Sequence, residues 1–238
     1  LVFYRVLAMI IVSVNDKVKW VQNDGFTGQC KGADSRNRLQ RDRVDPSPIE
    51  KGENEMSKKI VVLNGSPRKN GNTSALVKAF TEGAESAGHT VTEFFLDSMN
   101  IHGCKGCFGG HSSRECPCVQ NDDMNVIYPA VKACDVMVLA TPLYYWNMSG
   151  QLRTAVDRLF ALEEGEGNLL RGNGRSCALL MAAEGNGFED VVQYYDHLME
   201  HLKWENLGHV LAGGNMNVGD IQGKPEIQQA YELGRSIQ

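Results

Sequence analysis

The sequence has no apolar run long enough to span a bilayer and no excess of basic residues. Its 238 residues include 24 Lys and Arg against 29 Asp and Glu, a formal net charge of −5. This balance argues against nucleic acid as a partner, because phosphate backbones attract basic surfaces. The apolar run at residues 1–14 is interrupted by Arg5 and lacks the small-residue cleavage site of a signal peptide. We therefore expect neither a membrane nor nucleic acid as a partner.

Three phosphate-handling motifs are absent from the glycine-bearing segment after residue 64. A Walker loop has four residues between its glycines and then a lysine, whereas five residues separate Gly65 from Gly71, and Asn72 stands in the lysine position. No cysteine lies between residues 60 and 74, which excludes the covalent chemistry of cysteine phosphatases. The dinucleotide fingerprint G-x-G-x-x-G is missing as well. The segment therefore predicts neither nucleotide triphosphate hydrolysis nor covalent phosphate transfer.

The same segment does contain an aliphatic run at residues 60–63, a polar loop and then a helical pattern. A helix that starts after such a loop presents its free N–H groups and the positive end of its dipole to an anion. We expect a static phosphomonoester site here; the alternative is an ordinary polar turn between a strand and a helix. The residues predicted to contact the phosphate are Ser66, Arg68, Asn72, Thr73 and Ser74.

Apolar runs alternate with amphipathic helical patterns from residue 58 to the end of the chain. The predicted strands cover residues 60–63, 91–96, 136–140, 177–183 and 209–212. Periodicity predicts helices over residues 73–89, 152–160 and 188–203, a helix capped by Asn121, and a last helix that Pro225 opens. Five strands separated by helices predict a doubly wound parallel α/β sheet, which binds ligands beyond the carboxyl ends of its strands.

Four of the seven cysteines lie close together, in the arrangement Cys104-x2-Cys107-x8-Cys116-x-Cys118. Four thiolates match the ligand number of a [4Fe–4S] cluster or of a tetrahedral zinc site. Free, redox-active thiols are the third alternative, and the spacing does not decide among the three. Clustered thiols of this kind are typical of a reducing compartment, which predicts a cytoplasmic protein.

Four motifs, in their order along the chain, resemble the flavodoxin-like NAD(P)H-dependent FMN reductases. They are Asn64-Gly-Ser-Pro-Arg-Lys-Asn-Gly-Asn-Thr-Ser74, Gly103-Cys-Lys-Gly-Cys107, Cys118-Val-Gln-Asn-Asp-Asp-Met124, and Ala140-Thr-Pro-Leu-Tyr-Tyr-Trp-Asn-Met-Ser149 followed by Asp157-Arg158. Within that family the sequence most resembles the iron–sulfur flavoprotein branch. The branch has C-x2-C-x2-C followed by a fourth cysteine; here Gly110 occupies the third position, and Cys116 is the expected substitute.

The resemblance implies a flavodoxin-like five-stranded parallel sheet in the order 2-1-3-4-5, with FMN at the carboxyl ends of the strands. The segment after the third strand is expected to contact the flavin ring, together with the loop after the fourth. The residues concerned are Pro142, Leu143, Tyr144, Tyr145, Trp146, Asn147, Glu184 and Gly185. The alternative for the aromatic residues is a plain subunit interface. Both interpretations are compatible, because the flavin of this family lies at a dimer interface, and we expect a homodimer or a higher homo-oligomer.

The function that the resemblance implies is FMN-dependent oxidoreduction. NAD(P)H would reduce bound FMN by hydride transfer, and the reduced flavin would reduce a second acceptor such as a quinone, a nitro compound or a ferric complex. One alternative is an iron–sulfur flavoprotein that exchanges electrons with ferredoxin through FMN and a [4Fe–4S] cluster. Another is a redox-sensing interaction module whose cysteines oxidise. No side chain is assigned a catalytic role, because the flavin carries the chemistry.

Residues 1–55 differ in composition from the rest of the chain. Residues 15–55 are rich in charged and polar side chains without periodicity, which predicts a disordered extension. A translated leader is the other interpretation, because the codons for residues 51–56 can supply a purine-rich ribosome-binding sequence ahead of Met56. The FMN-binding domain is expected to cover residues 56–238.

Overall fold

The structure is a computed structural model, and it describes residues 57–110, 117–164 and 167–238. The predicted extension at residues 1–55 and the boundary at residue 56 lie outside these ranges, as does Cys116. Within the described ranges, no helix combines the length and the apolar character that crossing a membrane requires.

In the part of the chain that the structure describes, five long parallel strands and one short antiparallel strand form the sheet. They are β1 (Lys59–Asn64), β2 (Thr90–Phe95), β3 (Val136–Tyr144), β4 (Asn147–Met148), β5 (Ser176–Ala182) and β6 (Glu205–Ala212). The long strands pair in the order β2-β1-β3-β5-β6, and β4 pairs with β3. Without the two-residue β4, this is the order 2-1-3-4-5. The predicted flavodoxin-like topology is therefore confirmed.

Helices cover both faces of this sheet. They are α1 (Asn72–Ser86), α2 (Met124–Ala133), α3 (Gly150–Arg158), α4 (Phe160–Glu163), α5 (Glu189–Leu202) and α6 (Pro225–Arg235). One face packs against α1 and α6, and the other packs against α2, α3 and α5. Helices α1 and α6 approach each other at two glycines: a Cβ on Gly83 would collide with the Tyr231 carbonyl, and one on Gly234 with the Phe80 carbonyl.

Alternate residues of each central strand face the two helical layers. On β1, Val61 and Leu63 pack on the side of α2, α3 and α5, whereas Ile60 and Val62 pack on the side of α1 and α6. A strand buried on both faces needs apolar residues at every position rather than at every second one. This explains the continuous aliphatic runs from which the strands were predicted.

Strand β3 is longer than the sequence predicts, since it ends at Tyr144 rather than at residue 140. Thr141 and Pro142 still pair with β5, and Leu143 pairs with Met148 of β4. Hydrophobicity along the chain does not report such pairings, because they depend on strands that come later in the sequence. The segment predicted as a loop after β3 is therefore partly strand.

Helix α2 begins at Met124, so the prediction that Asn121 caps it is wrong. The Asn121 side-chain oxygen accepts a hydrogen bond from the Asn125 side chain at 2.8 Å. The next residue, Asp122, is buried, and its carboxylate accepts from the Met124 N–H at 3.1 Å. The Asp122 carboxylate thus faces the protein interior.

Candidate functional site

The segment between β1 and α1, called the phosphate loop here (residues 65–71), is organised by the side chain of Asn64. This side chain is fully buried, and its oxygen accepts from the Ser66 N–H at 3.0 Å. Its amide nitrogen donates to the Ser74 hydroxyl at 3.2 Å and to Glu93 on β2 at 2.8 Å. Asn64 therefore joins the start of the phosphate loop, the first turn of α1 and the neighbouring strand.

The two serines of this region bind the backbone of Arg68. The Ser66 hydroxyl donates to the Arg68 carbonyl at 3.0 Å and accepts from the Arg68 N–H at 3.2 Å. The Ser74 hydroxyl donates to the same carbonyl at 3.1 Å. Ser66 and Ser74, both predicted to contact the phosphate, thus hold the backbone of the loop in its turn.

The N-terminus of α1 is left open to an anion. Its N-cap residue is Gly71, no side chain caps the helix, and the first turn carries no acidic residue. The Arg68 guanidinium is exposed and has no partner among the described residues, and the hydroxyl of buried Thr73 has none either. A Cβ on Gly71 would lie 3.0 Å from the Arg68 Cβ and 3.3 Å from the Ser66 hydroxyl. These features fit a phosphate group.

Asn72 uses its side chain differently from the other predicted residues. Its amide nitrogen donates to the Asn217 carbonyl at 2.8 Å, and its oxygen accepts from the Gly219 N–H at 2.9 Å. Both polar atoms therefore bind the loop that follows β6. What Asn72 offers to an anion is its backbone N–H at the start of α1.

The segment after β3 folds into a β-hairpin that the sequence did not reveal. Tyr145 and Trp146 form its two-residue turn with φ of 48° and 58°, both left-handed. Such turns usually contain Asn-Gly, so an aromatic pair gives no hairpin signal in the sequence. Tyr145 is 94% exposed and Trp146 62% exposed. Left-handed backbone at bulky residues costs about 1–2 kcal/mol each and often marks functional sites.

Ser149 connects this hairpin to the phosphate loop. Its hydroxyl donates to the Gly65 carbonyl at 2.7 Å, and its N–H donates to the Thr141 hydroxyl at 2.9 Å. The same hydroxyl accepts from the Leu152 N–H, which makes Ser149 the N-cap of α3. Sequence analysis missed this residue, although a serine just before a helical pattern is a recognised capping signal.

The loop after β5 brings the predicted residues Glu184 and Gly185 to the same edge of the sheet. The Glu184 carbonyl accepts from the Gly214 N–H at 2.8 Å. In the same loop, a Cβ on Gly187 would lie 3.3 Å from the indole nitrogen of Trp146. The loops after β1, β3 and β5 therefore meet where a doubly wound sheet binds its ligands.

Two clefts lie near these loops. One, of about 560 Å³, is lined by the end of the loop after β5, by α5 and by β6, with residues such as Phe188, Asp196 and His209. The other, of about 240 Å³, lies between Leu96 after β2 and Gln151 at the start of α3. Neither cleft is lined by a predicted flavin-contacting residue, so we define the candidate site by the loops and not by a cleft.

The described cysteines fall into two environments. Cys104 and Cys107 are exposed, whereas Cys118 is partly buried and accepts a hydrogen bond from the Arg158 guanidinium at 3.4 Å. Across the ranges 57–110, 117–164 and 167–238, no three ligating side chains come together as a metal site. Because Cys116 lies outside those ranges, the four-cysteine prediction stays a prediction.

Two further cysteines lie in the core. Burial raises the pKa of Cys134 to about 11 and raises that of Cys177 further. Neither thiol is therefore ionised at neutral pH, and both behave as small apolar residues.

The partner of Cys118, Arg158, forms a buried ion pair with Asp122. One guanidinium nitrogen lies 2.6 Å from one carboxylate oxygen, and the other nitrogen lies 3.1 Å from the second oxygen. Burial alone would raise the pKa of Asp122 and lower that of Arg158. The hydrogen bonds and the charge attraction between them outweigh burial, so the pKa of Asp122 lies below its usual value and that of Arg158 above.

Comparison with known proteins agrees with this fold. Residues 58–218 match the NADPH-dependent FMN reductase family. An iron-sulfur flavoprotein of Archaeoglobus fulgidus is 31% identical over 75% of this chain and 78% of its own length. One from Methanosarcina thermophila is 29% identical over 70% of this chain and 83% of its own. The solved structure of an NAD(P)H:quinone oxidoreductase from Methanothermobacter marburgensis has a TM-score of 0.60 at 18% identity, covering 76% of this chain and 96% of that one.

The molecule is thus an oxidoreductase of flavodoxin-like fold. Because the family match covers more than half of the chain, the protein belongs to the NADPH-dependent FMN reductase family. The predicted family, the FMN cofactor and the NAD(P)H dependence are confirmed at this level. The acceptor, the oligomeric state and the compartment stay predictions.

Proposed function

We propose that the phosphate loop and the β3–β4 hairpin together bind FMN. The observation that carries this proposal is the open N-terminus of α1. There Gly71 leaves the first amides uncapped, and the nearby Arg68 guanidinium has no partner in the described part of the chain. The backbone N–H groups of residues 72–74, the Thr73 hydroxyl and the Arg68 guanidinium would hold the phosphate. Tyr144 and Trp146 would flank the ring.

The remaining predicted residues support this site from its sides. Ser66 and Ser74 fix the Arg68 backbone, so they would keep the phosphate loop in its bound shape. Pro142, Leu143 and Asn147 belong to the hairpin strands, and Glu184 and Gly185 would border the ring from the loop after β5. Bound FMN supplies the hydride and electron transfer; the chain binds it, orients it and limits access to it.

The exposed hairpin favours a small planar acceptor. Tyr145 and Trp146 extend into solvent, where they can border one flat molecule such as a quinone or a nitro compound. One such space beside the hairpin would accept nicotinamide and acceptor in turn rather than together. Steady-state kinetics with NAD(P)H and a quinone are then expected to be ping-pong, with parallel double-reciprocal lines. Intersecting lines would indicate that both substrates bind at once.

We further propose that the protein is a homodimer in the cytoplasm. Large apolar side chains are exposed on two loops at the carboxyl edge of the sheet: Tyr144 and its neighbours on the hairpin, and Met216 and Val218 after β6. Exposed apolar residues at one edge are typical of an interaction surface, and a second copy would cover them. The exposed free thiols of Cys104 and Cys107 are consistent with a reducing compartment.

The alternative function is electron exchange with ferredoxin. It is favoured by one observation: the two relatives named iron-sulfur flavoprotein align over most of their length with this chain, which carries the cysteine motif. Iron analysis of protein purified without oxygen tests it, because a cubane cluster requires about four irons per chain. Absence of iron would remove this alternative.

Stopped-flow mixing distinguishes the two functions. Oxidised protein is mixed under argon with NADH, with NADPH and, separately, with reduced ferredoxin, while the flavin absorbance is followed. The reductase function predicts bleaching by at least one nicotinamide on the timescale of turnover. Bleaching by ferredoxin alone would overturn it in favour of the electron carrier.

A further inference from the structure

Besides binding each other, Arg158 and Asp122 bind other segments of the chain. Its bidentate geometry is the one that a guanidinium and a carboxylate prefer, and both side chains are 1% exposed. The pair lies at the last residue of α3 and just before the first residue of α2. It therefore joins two helices on one face of the sheet.

The pair also binds both ends of the segment that runs from His102 to Cys118. The His102 N–H donates to Asp122 at 3.0 Å, and the His102 carbonyl accepts from Arg158 at 2.7 Å. At the other end, Arg158 donates to the Cys118 sulfur at 3.4 Å. His102 and Cys118, called the loop base here, flank Cys104 and Cys107. Asp122 thus binds the N–H of His102, and Arg158 binds its carbonyl.

Helix α3 connects this loop base to the phosphate loop. The helix starts at Gly150 behind its N-cap Ser149, whose hydroxyl donates to the Gly65 carbonyl, and it ends at Arg158. Nine residues of α-helix span about 14 Å. We propose that Arg158 and Asp122 are a positioning pair that fixes the loop base to α3, and through α3 to the phosphate loop.

Stability by itself does not account for this pair. Replacing a buried ion pair with apolar residues of similar volume is often neutral or stabilising, because both charges lose their hydration. In addition, Arg158 Nε is buried without a hydrogen-bond partner in the part of the chain that the structure describes. What two apolar residues could not do is bind His102 at both backbone groups and the Cys118 sulfur together. Position is therefore what the pair specifically provides.

The test separates position from stability. In the full chain, Asp122→Leu is combined with Arg158→Met, and backbone hydrogen exchange is measured by mass spectrometry. The matched control combines Arg153→Gln with Asp157→Asn, which removes an exposed pair on the same helix, 3.1 Å apart. The positioning role predicts that peptides covering residues 102–110 and 117–121 exchange at least tenfold faster in the first variant only. Exchange in β1 and β3, and FMN content, should stay within twofold.

Unchanged exchange at the loop base would overturn the inference. Other contacts, such as that of Glu164 with the Gly110 N–H, would then be what holds the loop base in place. Uniformly faster exchange over the whole chain would overturn it as well, because that is the result of a structural role alone. If the double variant does not fold, Arg158→Lys decides the question. Lysine keeps the charge but cannot bind Asp122, His102 and Cys118 in one plane. Faster exchange confined to the loop base then supports the inference, and unchanged exchange refutes it.

Discussion

The side-chain oxygen of Asn72 accepts a hydrogen bond from the backbone N–H of Gly219 at 2.9 Å. Gly219 lies in the loop after β6, at the edge of the sheet opposite to β2, whereas Asn72 begins the helix after β1. The other end of this loop is held by Lys224, which donates to the carbonyls of Gly213 and Gly214 at 2.9 and 2.8 Å. The loop after β6 is thereby drawn to the rim of the phosphate loop.

Asn72→Ala is expected to release this loop rather than to abolish FMN binding. Two hydrogen bonds are lost, together worth about 1–2 kcal/mol at an exposed position. Hydrogen exchange at residues 216–220 should accelerate, while the dissociation constant for FMN rises by no more than about threefold. Asn70→Ala is the control, because Asn70 is exposed and has no partner among the described residues. A tenfold loss of FMN affinity in Asn72→Ala alone would mean that its side chain contacts the phosphate.

Arg68→Ala is expected to weaken FMN binding about ten- to a hundredfold. A hydrogen bond to a charged group contributes about 1.5–3 kcal/mol, and Arg68 is the cation expected at the phosphate. Fluorescence titration of the apoprotein with FMN measures the loss. Lys69→Ala is the matched control, since Lys69 is the exposed neighbour, and it should change the affinity by no more than about threefold. Equal losses in the two variants would indicate a general charge effect instead of a specific contact.

Substitutions in the turn of the hairpin are expected to raise stability and to lower activity. Combining Tyr145→Asn with Trp146→Gly installs residues that adopt left-handed backbone readily, which should raise the unfolding free energy by about 1–2 kcal/mol. The melting temperature would rise by roughly 2–8 °C. Turnover with a quinone should fall about tenfold with FMN still bound, because the rings that border the acceptor are lost.

Trp146→Ala serves as the comparison for that variant. It removes the indole ring but keeps a Cβ in the left-handed turn, so it should lose turnover without gaining stability. Full quinone turnover in both variants would exclude the hairpin from the acceptor site.

The Asp122 carboxyl is expected to make stability depend on pH in acid. Arg158 and the His102 N–H hold its pKa below the usual value, so the folded state binds its proton less tightly than the unfolded state does. The stabilisation is therefore complete above the unfolded pKa of about 4, and it is lost as the pH falls through the lower folded pKa. Urea unfolding between about pH 2 and 5 should show a steeper loss in the wild type than in the protein with Asp122→Leu and Arg158→Met. Equal slopes would contradict the pKa shift.

The sequence by itself determined the sheet and the phosphate loop. Strands buried on both faces require unbroken aliphatic runs, so residues 60–63 and 136–140 predicted β1 and the start of β3 without any knowledge of their partners. The sequence signal for the phosphate loop was local as well, because Gly71 and the start of α1 are neighbours along the chain. The family resemblance came from the same short segments.

Tertiary structure alone decided the contacts that join these segments. Ser149, which follows the hairpin of the neighbouring strand β3, donates to the Gly65 carbonyl, and Arg158 at the end of α3 binds Asp122 in the segment before α2. The left-handed turn at Tyr145 and Trp146 has no local signal either, since its residue types disfavour that backbone and only the β3–β4 pairing imposes it. Periodicity and capping describe neighbours along the chain, whereas hydrogen bonds between distant residues depend on where the whole fold places them.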